Sequence, residues 1–164
     1  MAAATSSCSR SGFAYIAVLL LLAGLGFGAL QVAENSRTTA QREAEAQLLF
    51  AGRQYRSAIE AYMARPPGAA PRRLEDLLDD RRSGEPVRHL RRLYPDPFTG
   101  AADWQLVRDA TGGVMGVHSR SRVVPLQRRG FAASEASFAS AAAVGDWHFV
   151  AGRGGDADRP ATLP

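Results

Sequence analysis

The stretch RSGFAYIAVLLLLAGLGFGALQVAE, residues 10–34, decides how the rest of the chain is read. No charge lies between Arg10 and Glu34, and Phe13 to Ala33 is a run of 21 mostly apolar residues. A helix rises about 1.5 Å per residue, so roughly 20 such residues cross the ~30 Å hydrocarbon core of a bilayer. The run therefore predicts a transmembrane helix over 13–33. Arg10 on its leading side and Glu34 on its trailing side keep the start cytoplasmic and send the remainder across the membrane. A cleavable secretory signal is the competing reading, but its apolar centre is usually about 7–15 residues and needs small residues before the cut. Here Gln31 stands where a small residue should precede cleavage after Ala33. Gly24 and Gly28 form a GxxxG pattern, which lets a second membrane helix approach closely.

Outside this run the composition changes. The chain has 164 residues, 46% hydrophobic and 22% charged, an average soluble mixture made of two unlike parts. Every charged residue except Arg10 follows the apolar run. All 20 basic residues are Arg, the formal net charge is +4, and the pI is about 10.0. The excess is local: Arg88 to Arg129 holds eight Arg against three acids. Cys8 is the only cysteine, which excludes an intrachain disulfide and a cysteine-rich zinc site.

The helix is predicted to continue through 34–65 as an amphipathic segment. Thr38 to Arg65 lacks proline and is rich in Ala, Glu, Gln and Arg. Leu48, Gly52, Tyr55, Ile59 and Tyr62 recur at spacings of four, three, four and three, which builds one apolar face. Pro66 and Pro67 end it. A helix from Phe13 to this point would be roughly 80 Å long. Beyond it, Arg72 to Arg82 reads as a short amphipathic helix with Leu74, Leu77 and Leu78 inside and acids outside, and Leu90 and Leu93 suggest another turn. Tyr94-Pro95-Asp96-Pro97-Phe98-Thr99-Gly100 is a rigid turn, with Asp96 capping it through its side chain. Strands are predicted at Trp104–Val107, Val114–Val117 and Trp147–Val150, with a turn over Asp109–Gly113 between the first two. The fold class expected is α+β: a long N-terminal helix, transmembrane then amphipathic, packed on a small antiparallel sheet of about three strands. Residues 66–150 form the head, and 151–164, small and polar, read as a disordered tail.

Arg10-Ser11-Gly12-Phe13 followed by an uncharged apolar helix resembles the type IV pilins and pseudopilins. Leu90 to Gly100, Trp104 and Gly116-Val117-His118-Ser119 sharpen this into a resemblance to a pseudopilin branch of type II secretion systems. The resemblance implies that residues 1–12 are a leader, that a prepilin peptidase cuts between Gly12 and Phe13, and that Phe13 is then methylated. It implies a head in the periplasm, a single-pass anchor in the bacterial inner membrane, and assembly into a pilus-like filament for protein export. Its partners would be other pseudopilins, the prepilin peptidase and the inner-membrane assembly platform. Phe13, Ala17, Gly24 and Gly28 would lie in the assembly helix. Ala17 departs from the family, which usually has Glu as the fifth mature residue. That departure argues against an abundant major subunit; it fits a minor subunit at a filament tip, or a divergent copy.

No enzymatic motif is present. Asp96 and Asp103 lie on one loop, but two carboxylates cannot fill a calcium shell, and no EF-hand pattern occurs. His89, His118 and His148 lack metal-motif spacing, and Ser119 and Ser121 lack a nucleophile turn, so they read as polar residues at a strand end. Trp104, Trp147, Phe98 and Phe149 read as core aromatics. No cofactor or metal is expected. The Arg91/Arg92 and Arg128/Arg129 pairs form a candidate patch for an anionic partner. Nucleic acid is not among the principal partners expected, although a DNA-binding minor pilin of an uptake system stays an alternative on charge alone. The other is a membrane-anchored periplasmic domain that never polymerises.

Overall fold

The computed structural model describes residues 10–152, and their side chains except for 10–13 and 24–35. Residues 1–9 of the expected leader and 153–164 of the expected tail lie outside the described residues. Ala151, expected to open that tail, belongs instead to the core, buried and with its N–H donating to the Met115 carbonyl at 2.7 Å. One helix, α1, runs from Arg10 to Met63. The chain divides into two units, the first ending at Gln41 and the second beginning at Arg42.

In the first unit, Tyr15, Ile16 and Val18 to Leu22 are exposed, from 46% for Leu19 to 69% for Leu20. Among the described residues no helix is long and apolar enough to cross a membrane. Residues 24–33 of the expected span are among those whose side chains lie outside the description.

The second unit is the head. Leu48, Tyr55 and Ile59 are fully buried, Ala51, Ala58 and Tyr62 nearly so, and the four-three spacing of α1 is the reason. The helix stops at Met63, two residues short of Arg65, because a residue preceding proline is sterically pushed out of the helical region.

The sheet has three antiparallel strands in the order β1–β2–β3: β1 is Gln105–Arg108, β2 Val114–His118 and β3 Phe149–Val150. Leu106 faces Val117 and Val107 faces Gly116 across the first pair, with an irregularity before Arg108. The second pair matches Gly116 with Val150 and Val117 with Phe149. The turn between β1 and β2 forms as expected: Asp109 Oδ1 accepts the N–H groups of Thr111 and Gly113 at 2.8 and 2.9 Å, and Gly112 takes a φ of 82°. Trp147, Phe149 and Trp104 are core residues, and Phe98 packs against that core half-buried.

Three expectations need correcting. Arg72–Arg82 contains only a four-residue 3-10 helix, Leu74–Leu77. Asp76 draws the N–H groups of Arg72 and Arg73 to its Oδ2 at 3.0 Å, and Asp80 pairs with Val87 through two backbone hydrogen bonds of 2.9 Å, so the chain turns back instead of winding on. The turn expected at Leu90 is replaced by hydrogen bonds from the N–H groups of His89 and Leu90 to the Leu77 carbonyl. The third strand is shorter than Trp147–Val150, since Trp147 closes a 3-10 turn over Val144–Asp146 and only Phe149 and Val150 pair.

Candidate functional site

The residues expected to matter for processing and assembly fall on α1. Gly12, Phe13, Ala17, Gly24 and Gly28 all lie within Arg10–Met63. Ala17 is exposed, whereas the side-chain surroundings of Phe13 and the neighbourhoods of Gly24 and Gly28 lie outside the described residues.

The head is held to α1 by buried carboxylates that the sequence reading did not single out. Glu45 is buried, and its two carboxylate oxygens accept the N–H groups of Leu126 and Gln127 at 2.7 and 2.9 Å. Glu135 is fully buried in the 3-10 helix Ala133–Ser140. There it receives a forked contact from Arg53, with Nε 2.9 Å from Oε1 and Nη2 2.6 Å from Oε2, and Arg56 stands 3.3 Å away. The hydrogen bond from Arg53 holds the Glu135 carboxyl below the usual range, against the opposing effect of burial. Asp80, also buried, receives Arg82 Nε and Nη2 at 2.9 Å each and lies 3.1 Å from His89 Nε2. Its carboxyl is held well below the usual range, chiefly by the Arg82 hydrogen bond and further by that of His89.

A group whose folded pKa is depressed stabilises the fold above its unfolded value, and that contribution disappears as pH falls through the folded value. For Glu135 and Asp80 the unfolded values are near 4.5 and 3.8. Head stability should therefore hold from neutrality to about pH 5 and decline below about pH 4.5. Thermal unfolding followed by tryptophan fluorescence across this range checks it. The decline should be shallower in Glu135→Gln, which carries no titrating group at this position.

Asp96 caps the Pro-rich turn as expected, its Oδ1 accepting the Phe98 N–H at 2.9 Å. Its other oxygen accepts the Ser119 hydroxyl at 2.6 Å, and both residues are buried. Ser119 is thus not a surface residue at a strand end, which corrects that expectation. Its Oγ in turn accepts the Ser121 N–H at 3.0 Å, so a short chain of hydrogen bonds ties the turn to the segment after β2. Asp103 does not join Asp96; it accepts the Thr99 hydroxyl at 2.5 Å. Among the described residues no group of three or more His, Cys, Asp or Glu is placed to hold a metal ion.

The histidines separate into two places. His89 edges against Tyr62, with centroids 5.5 Å apart. His118 and His148 stack at 4.4 Å and 18°. Burial, and then the neighbouring His118, lower the His148 pKa. The four arginines of the basic patch stand on two different loops. Arg92 lies 5.2 Å from the centre of the Tyr94 ring and Arg128 Nη1 donates to the Ala141 carbonyl at 2.5 Å. All four are exposed and keep their charge, since neither a ring face nor a carbonyl neutralises a guanidinium. No family model, no curated protein and no solved structure matches the chain.

Proposed function

We propose that the protein is a non-enzymatic, pseudopilin-type subunit of a type II secretion or related pilus-like filament. Prepilin peptidase cuts it after Gly12, the segment from Phe13 to Ala33 anchors it in the inner membrane, and the head lies in the periplasm. The observation that supports this reading most strongly is the division of labour within α1. One helix carries an uncharged apolar stretch with seven large side chains, Tyr15, Ile16 and Val18 to Leu22, left exposed, and also the face that forms the core of an α+β head.

A helix exposing so much apolar surface needs a covering. Burying those seven side chains in lipid or against like helices is worth on the order of 10 kcal/mol. The mechanism that follows is mechanical. The apolar segment exchanges lipid for neighbouring subunits as the filament grows, and the head follows it on the same chain. Ala17 in place of the family's Glu removes a carboxylate that would otherwise meet a neighbour's amino terminus, which suits a minor or tip position. Mass measurement of the mature chain tests this reading, since it places the processing site directly.

A further inference from the structure

The head also contains a polar cavity that the assembly role leaves unused. Its volume is about 330 Å³, and it lies where residues 119–122, following β2, meet the turn at 143–146. Gly145 permits this meeting: a Cβ there would stand 2.7 Å from the Ser121 carbonyl oxygen and 3.0 Å from that of Ser119. Its own N–H donates to the Ser121 carbonyl at 3.0 Å.

The acceptors around this cavity are largely taken, while donors remain. His118 Nδ1 lies 3.0 Å from the Gly145 carbonyl and 3.1 Å from that of Ser119. Both partners are acceptors, so Nδ1 carries the hydrogen and Nε2 is the nitrogen left free. Asp146, the one carboxylate in the lining, uses Oδ2 to accept the Ala143 N–H at 2.8 Å. Ser121 Oγ accepts the Val123 N–H at 3.3 Å, which leaves its hydroxyl hydrogen to donate. With the Gln105 amide turned so that its oxygen faces Arg120, which satisfies both groups, that oxygen lies 2.6 Å from Nε and 3.1 Å from Nη2, and Asp103 is 3.8 Å from Nη1. Arg122 lines the cavity and makes no side-chain hydrogen bond or ion pair among the described residues.

We propose that this cavity binds a small oxyanion group, a carboxylate or a phosphate. Arg122 supplies the main charge, Arg120 is pre-aligned beside it, and the Ser121 hydroxyl completes the donor set. The free guanidinium fork of Arg122 matches the paired oxygens of both groups, with Arg120, its own fork held by Gln105, adding charge beside it. A charge-assisted hydrogen bond is roughly twice as strong as a neutral one. The site lies wholly in the head and does not depend on the role proposed for α1.

The three histidines make the test specific. The full chain, labelled with 15N-histidine, is titrated at fixed pH and ionic strength with sodium phosphate, sodium succinate or sodium chloride. The expected result is a saturable shift of His118 with phosphate or succinate and none with chloride, while His89, buried against Asp80, stays still. Saturation with phosphate alone assigns a phosphoryl ligand, and with succinate alone a carboxylate. Arg122→Gln should weaken binding on the order of tenfold, the loss of one charge-assisted hydrogen bond, without altering the melting temperature. Shifts that are linear or the same in all three salts, or an affinity unchanged in both Arg122→Gln and Arg120→Gln, overturn the proposal.

Discussion

Replacing Gly52 by alanine is expected to destabilise the head by about 1–3 kcal/mol, the usual cost of forcing a methyl group into a filled core. In an ordinary helix interior the same change stabilises by roughly 1 kcal/mol, because alanine is the better helix former. The sign reverses here because the Phe149 ring lies against the bare Cα. A Cβ at Gly52 would meet three ring atoms at 2.3 to 2.4 Å. That ring cannot easily withdraw: Phe149 is fully buried, packs edge-on to Phe138 at 5.2 Å, and is paired with Val117 of β2. Gly52→Leu should be worse and detach β3 from the sheet. Urea unfolding of the full chain in detergent, followed through Trp104 and Trp147, measures both effects. Unchanged or raised stability in Gly52→Ala would show that Phe149 does not occupy this groove.

The second large effect is expected at Asp96. Asp96→Ala removes the acceptor of the Ser119 hydroxyl and of the Phe98 N–H from a fully buried position. Each donor left unsatisfied costs about 1–3 kcal/mol, so a loss of roughly 3 kcal/mol is predicted. Ser119→Ala alone should cost less, since the Phe98 contact survives. The double substitution should then cost clearly less than the sum, because the Ser119 hydroxyl is no longer there to be stranded. Urea midpoints of the four chains provide this cycle. Additive effects, or a loss below about 0.5 kcal/mol for Asp96→Ala, would mean that water enters the site and replaces the carboxylate.

These two positions show what sequence can and cannot disclose. Gly52 falls on the apolar face that Leu48, Tyr55, Ile59 and Tyr62 define, so the periodicity reveals its place, though not the ring against it. Asp96 as a turn cap is legible because its partner, Phe98, is two residues away. Ser119 is 23 residues away, and nothing local signals that bond. The same holds for Glu45 with Gln127 and for Arg53 with Glu135, each separated by 82 residues. Glu45, three residues before Leu48, continues the spacing of the apolar face, but only the folded chain brings backbone N–H groups to it and a guanidinium to Glu135. Asp80 misled for a related reason. Its neighbours Leu74, Leu77 and Leu78 have helical spacing, but its pairing with Val87 and its contacts with Arg82 and His89 favour a reversal of the chain. Strands β1 and β2 were legible to within a residue because alternation and the Asp109–Gly113 turn are local features.

The proposed role rests on where the mature chain begins, because every other part of it follows from a retained apolar helix. Intact mass and N-terminal fragmentation of the protein extracted from membranes of producing cells should give a chain starting at Phe13, with an added methyl group on its amino nitrogen, and with Cys8 and Arg10 absent. A chain starting at Glu34, or one that keeps residues 1–12 in cells with active prepilin peptidase, would contradict it.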